Sequence, residues 1–173
     1  MASPTKSKTL ECYHCRSTFD FYPAHSGFGD EIFFYCDRCG TVACVDIYSQ
    51  ECQRFYKQYI ETRTYEAKNK SDLEAFDANF ERMRIAIASN LDPCSCGGRF
   101  KADATPRCPV CRKQLEWDQM VDQIDQQSDS QTPQYFRRHV PKGWRDIYYF
   151  VFNNRIVRNN WTKSGELSHP HCE

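Results

Sequence analysis

Residues 94–111 read CSCGGRFKADATPRCPVC, two close cysteine pairs set among two glycines and two prolines. Thiols spaced this way can hold a metal, form disulfides or exchange electrons. A matching set, CYHC and CDRCG, lies upstream, so eight of the eleven cysteines fall into pairs: Cys12/Cys15, Cys36/Cys39, Cys94/Cys96 and Cys108/Cys111. Twenty residues separate Cys15 from Cys36, and eleven separate Cys96 from Cys108. Two pairs at such distances form the pattern of a tetrahedral Cys₄ zinc site. A C-x-x-C turn places two sulfurs on one side of a tight loop, each about 2.3 Å from a shared ion, and a second turn brought alongside by a hairpin closes the tetrahedron. The spacing predicts two structural zinc ions per chain. One is held by Cys12, Cys15, Cys36 and Cys39, the other by Cys94, Cys96, Cys108 and Cys111. The third pair is C-x-C, so its knuckle must be tighter, and Gly97 and Gly98 can supply the backbone angles this needs.

These motifs, CYHC with CDRCG and CSCGG with CPVC, resemble the zinc-ribbon superfamily over segments 10–45 and 92–115. The resemblance implies a metal-held hairpin and no particular function. The rival chemistries fit less well. CPVC is similar to a glutaredoxin-type redox pair, but that motif belongs at a strand-to-helix turn early in a βαβ unit, and nothing before it supplies one. A disulfide framework needs an oxidising compartment that nothing in the sequence indicates. The other thiols and imidazoles carry less. Cys44, in TVAC, and Cys52, on the apolar face of a predicted helix, read as small buried hydrophobes. The ring of His14, inside a knuckle, is expected to point away from the ion. His25 and His139 have no visible partners. His169, His171 and Cys172 close together in HPHCE could chelate, but a disordered terminus is the expected state.

Composition sets the bounds. With 173 residues, 40% of them hydrophobic and 14% aromatic, the chain can bury a core. No apolar run approaches the roughly 18 residues of a membrane span, and MASPTKSKTL has no apolar core of a secretory signal. A cytoplasmic, reducing location and a disordered tail over 1–9 are therefore expected. Formal charge is balanced, 23 basic against 23 acidic residues. Two Zn²⁺ on eight thiolates would bring this to about minus four, which gives no global drive towards nucleic acid.

The elements that must position the knuckles can be read between them. Segment 46–91 predicts an antiparallel helical hairpin. Its first helix has Tyr48, Cys52, Phe55, Tyr56 and Tyr59 at helical spacing with Asp46 as candidate cap. Its second starts with Ser71 and Glu74 in capping-box register and carries the stripe Leu73, Phe76, Phe80, Met83 and Ile87. Asp92-Pro93 ends it. Residues 116–132 read as a short acidic helix, flanked by Leu115 and carrying Met120, Val121 and Ile124, followed by a linker. Residues 133–173 form a C-terminal module in which DIYYFVF and RIVRNNW, joined at Asn153-Asn154, predict a β-hairpin, the first strand covered on both faces and the second at an edge. The fold class is thus α+β, two zinc-ribbon hairpin modules with a helical hairpin between them and a β-hairpin after them.

No nucleophile–His–acid set, phosphate-binding loop or open metal triad is visible, so no enzyme is expected. The expected role is binding, as an adaptor, inhibitor or immunity-type scaffold for another protein. The alternative is nucleic-acid binding through the C-terminal module, whose Arg137, Arg138, Lys142, Arg145, Arg155, Arg158 and Trp161 interleave cations with aromatics. No membrane partner is expected.

Overall fold

The computed structural model describes residues 8–25, 30–61, 70–116, 120, 122–123, 148–152 and 155–162. The class is α+β: seven short strands in two sheets with two helices among the described residues. β1 (Lys8–Glu11) and β2 (Thr18–His25) form an antiparallel hairpin, and β6 (Tyr148–Phe152) adds to the far side of β2. The second sheet has the order β5-β3-β4-β7. There β3 (Glu31–Cys36) and β4 (Val42–Asp46) make the central hairpin. β5 (Phe100–Lys101) pairs antiparallel with β3, and β7 (Ile156–Arg158) pairs parallel with β4.

Period-two alternation explains why the central hairpin is buried throughout, since successive side chains point to opposite faces. Ile32, Phe34, Ala43 and Val45 face the helices, where they meet Phe55, Met83, Ile87 and Leu91 in the largest apolar cluster. Phe33, Tyr35, Val42 and Cys44 face the other way and pack on Val151 of β6. The neighbouring residue of β6, Phe152, belongs to a third cluster with Leu10, Phe21, Leu115 and Met120. β6 is therefore covered on both faces, as its unbroken apolar run predicts, and β7 lies at a sheet edge. These two strands do not pair with each other, which corrects the expected C-terminal hairpin. An Arg155 N–H donates to Phe152 C=O at 3.1 Å where the strands adjoin, but each then joins a separate sheet. Pairing with β2 sets β6 between two apolar clusters, Phe152 in one and Val151 in the other, a burial of both faces that an isolated two-stranded hairpin could not give. Asn153-Asn154 lie outside the described residues.

α1 (Gln50–Tyr56) continues as a wider π-helical turn, Lys57–Glu61, and α2 spans Lys70–Ser89. The α2 stripe holds, with Met83 and Ile87 buried and Phe76 and Phe80 packed on the edge of the cluster. The side chains of Leu73 and Ser71 lie outside the described set. α1 differs from expectation at its start. Ser49 is the cap, its hydroxyl accepting from Cys52 N–H, while Asp46 accepts from Tyr48 N–H one turn earlier. Tyr48 thus precedes the helix and is 68% exposed. Beyond α2, Leu91 bridges Trp161, and Asp92 and Asn160 exchange hydrogen bonds, tying the end of the helix to the segment after β7.

Candidate metal centres

Each cysteine pair sits on a tight turn, and three of the four turns share one hydrogen-bond pattern. The N–H of Cys12 donates to Ser17 C=O, Cys36 to Thr41 and Cys108 to Lys113, at 2.9–3.0 Å. In each case the acceptor lies five positions after the donor. At the C-x-C pair Cys94 donates to Gly98 instead, one residue sooner. That is the tighter knuckle its spacing demands, with Gly97 at φ +81. Gly98 is needed for a different reason. A Cβ there would lie 2.6 Å from Cys36 Sγ, so only glycine lets the two knuckles meet.

The sulfurs gather in two groups, Cys36, Cys39, Cys94 and Cys96, and Cys12, Cys15, Cys108 and Cys111, within each of which all lie inside 4.8 Å. Cys36 is 3.5 Å from Cys96 and Cys39 is 3.6 Å from Cys94. In the other group Cys12 is 3.7 Å from Cys111 and Cys15 is 3.8 Å from Cys108. A tetrahedron with metal–sulfur bonds of about 2.3 Å has edges of about 3.8 Å. The sulfurs are therefore spaced for a divalent ion and well beyond disulfide contact, about 2.05 Å.

All eight paired cysteines are brought into these groups, but the partners differ from those expected. The first knuckle joins the fourth and the second joins the third. Strand pairing supplies the cause. The Cys94/Cys96 knuckle leads directly into β5, whose Phe100 is registered opposite Cys36 on β3. Asp37 fastens the join, its N–H donating to Arg99 C=O and its carboxylate accepting from Arg99 N–H, both at 2.9 Å, with Lys101 Nζ at 3.1 Å. Arg99 N–H and the Lys101 charge hold that carboxyl below its usual range. The fourth knuckle is drawn to β1 by Leu115 and Met120, which pack on Leu10 and Phe21. Gln123 completes the match: its amide accepts from Glu11 N–H at 2.8 Å and donates to Glu11 C=O at 2.9 Å. Neither segment 10–45 nor segment 92–115 closes a four-sulfur set by itself.

Electrostatics fit an ion. Hydrogen bonds from the Ser17 hydroxyl and N–H hold the Cys15 thiol down at about 6. Burial raises Cys39, yet Thr41, whose hydroxyl lies 3.2 Å away, outweighs it and brings the thiol to about 7. Burial pushes Cys108 up to about 12 and also raises Cys36 and Cys96. Each group thus combines one easily ionised sulfur with at least one whose burial disfavours the thiolate. A divalent cation among them offsets that penalty, since it stabilises every thiolate at once. Backbone donors are also aimed at sulfur, with Arg38 N–H at 3.4 Å from Cys36 Sγ and Val110 and Cys111 N–H at 3.4 Å from Cys108 Sγ. Four thiolates around a divalent ion carry about two negative charges, and the exposed Arg38, Arg99, Arg112 and Lys113 around the knuckles offset them.

A family model, Domain of unknown function (DUF8255), matches residues 8–116. The chain belongs to this family. No curated protein and no solved structure matches it. The DUF8255 segment contains all four knuckles, whereas β6 and β7 lie beyond it and complete its two sheets.

Other candidate residues are placed differently. Cys44 and Cys52 are buried, as expected of small apolar side chains, and burial pushes their thiols up to about 12 and about 11. Of the proposed nucleic-acid contacts, Arg155 is exposed, Arg158 is paired with Glu31 and 3.3 Å from Cys44 Sγ, and Trp161 stacks on Phe55 at 6.0 Å. Arg137, Arg138, Lys142 and Arg145 lie outside the described residues, as do His139, His169, His171 and Cys172. His14 is exposed, outside its sulfur group. Sequence reasoning missed Asp37 and Gln123, which join the knuckles. The signal for Asp37 was its place inside CDRC, where a side chain can reach a backbone N–H; Gln123 had none. No helix among the described residues is long and apolar enough to cross a membrane.

Proposed function

We propose that this protein is a non-enzymatic, zinc-ribbon-like scaffold in which two structural Zn²⁺ ions, one in each four-cysteine group, hold a rigid surface for another protein. The observation that carries this reading is the pair of four-sulfur groups with spacings of 3.5–3.8 Å. Four thiolates fill a tetrahedral ion and leave no position for water or substrate, which suits a structural ion and not a catalytic one. All-sulfur sets favour zinc among common cellular divalent ions. A reducing, cytoplasmic location keeps such thiols available as ligands. The interaction role is supported by exposed apolar side chains at the knuckle tips of one group, Tyr13 and Val110, since aromatic and aliphatic anchors on rigid turns suit protein interfaces. The nucleic-acid alternative has less support, because Trp161 and Arg158 are engaged within the fold.

The test is native mass spectrometry of the chain purified from its own cells without chelator. Two zinc ions per chain and a co-purifying protein retained from about 50 to about 200 mM salt are expected. A complex lost steeply over that range would indicate phosphate contacts and nucleic acid instead. Absence of zinc would remove the proposal.

A further inference from the structure

The two sulfur groups are nested along the chain. The inner group, Cys36, Cys39, Cys94 and Cys96, is enclosed by the outer group, Cys12, Cys15, Cys108 and Cys111. Nesting has a consequence for metal uptake, because the entropic penalty of closing a loop grows with its length, the closure probability falling roughly as the 1.5 power. Cys39 and Cys94 are 55 residues apart, whereas Cys15 and Cys108 are 93 apart. On this ground alone the inner group closes about twofold more readily. Inner closure then brings Cys36 beside Cys96 and removes 60 of the 93 residues between Cys15 and Cys108, leaving 33. The outer group therefore closes about fivefold more readily once the inner one is formed.

Packing acts in the same direction. Cys36, Cys39 and Cys94 are part of the main apolar cluster beneath the helices, while Cys12 and Cys108 rest on the smaller cluster around Leu10 and Phe21. The two centres also touch. A Cβ on Gly40, the residue after Cys39, would lie 2.8 Å from Arg107 O and 2.9 Å from Pro109 Cα, on either side of Cys108. The folded inner knuckle is thus one wall of the outer one.

We propose that metal binding by the two groups is ordered and positively coupled: the inner group fills first, and its closure makes the outer group a better site by about fivefold or more. This rests on the metal reading above. Reciprocity requires that an occupied outer group strengthen the inner one by the same factor.

The experiment uses ¹¹³Cd²⁺ as the probe on the full chain. Cys108→Ser with Cys111→Ser removes one cadmium resonance and so assigns the outer site. Equilibrium competition with a chelator should deplete the outer resonance of the wild-type chain before the inner one. In the double variant the inner site should bind Cd²⁺ more weakly than in the wild type, by a factor that reaches about fivefold against a wild-type chain whose outer site is filled. Unchanged inner affinity, or loss of the inner resonance first in the wild type, would overturn the coupling while leaving two metal sites in place. If the variant does not fold, the order of depletion in the wild type decides. Failure to bind Cd²⁺ at all would overturn the metal reading and the coupling with it.

Discussion

Arg16 and Arg112 each follow the second cysteine of a knuckle and sit at φ 59 and φ 64. An L-residue in this left-handed region carries a penalty of about 1–2 kcal/mol that glycine escapes, although glycine loses roughly 0.5–1 kcal/mol through its freer unfolded chain. Arg112→Gly should therefore stabilise the metal-loaded protein by about 0.5–1 kcal/mol, measured by urea unfolding at fixed metal. A destabilised variant would show that the arginine side chain matters more than its backbone. Cys52 makes a second prediction at this scale. Burial raises its thiol from 9.0 to about 11, with a small addition from Asp46. A folded-state pKa above the unfolded one means that the contribution to stability is complete below pH 9 and lost as pH rises from 9 towards 11. Cys52→Ala should accordingly start less stable, from the small cavity, and decline less over that alkaline interval than the wild type. Parallel pH profiles for the two proteins would refute the burial argument.

At the scale of elements, the four knuckles and the α2 stripe were legible because both are set by local chemistry. Turn residues and cysteine spacing fix where a knuckle forms, and apolar periodicity fixes which face of a helix is buried. The pairing of knuckles was not legible, and the reason is quantitative. Joining Cys15 to Cys108 rather than to Cys36 closes a loop of 93 residues in place of 21, a difference of only about 1 kcal/mol. The β3–β5 register, the Asp37 bridge and the Leu115 and Met120 packing together exceed that, and none has a signature readable from either partner alone. β6 and β7 show the same limit: their strand character was plain, their partners were not. Gly98 tests the element-level account. Gly98→Ala places a methyl 2.6 Å from Cys36 Sγ, and a metal ligand cannot swing aside as a free side chain can. Overpacking of this kind costs about 1–3 kcal/mol. The inner site should lose metal affinity, read by chelator competition on the thiolate–metal absorption band. Wild-type affinity in this variant would mean that the inner knuckles do not approach so closely.

At the scale of the whole molecule, the nested centres, once filled as proposed, would act as two clasps on one structure. One fastens the central sheet, the other joins the β1–β2 hairpin to the segment after β5, and Val151 and Phe152 of β6 pack one on each side. Two separate ribbons would lose their metals and structure independently. Here each clasp holds chain that the other needs, so loss of one metal weakens the other site and removal of both unfolds the chain. Exhaustive chelation with thiol blocking should abolish the near-UV ellipticity of the buried aromatics around Phe21, Phe34 and Phe152, because metal binding supplies folding free energy directly. Loss of one metal that leaves the affinity of the other group unchanged would restore the picture of independent modules. Full ellipticity after complete metal removal would show that the apolar clusters alone hold the fold and that the cysteine groups contribute little to it.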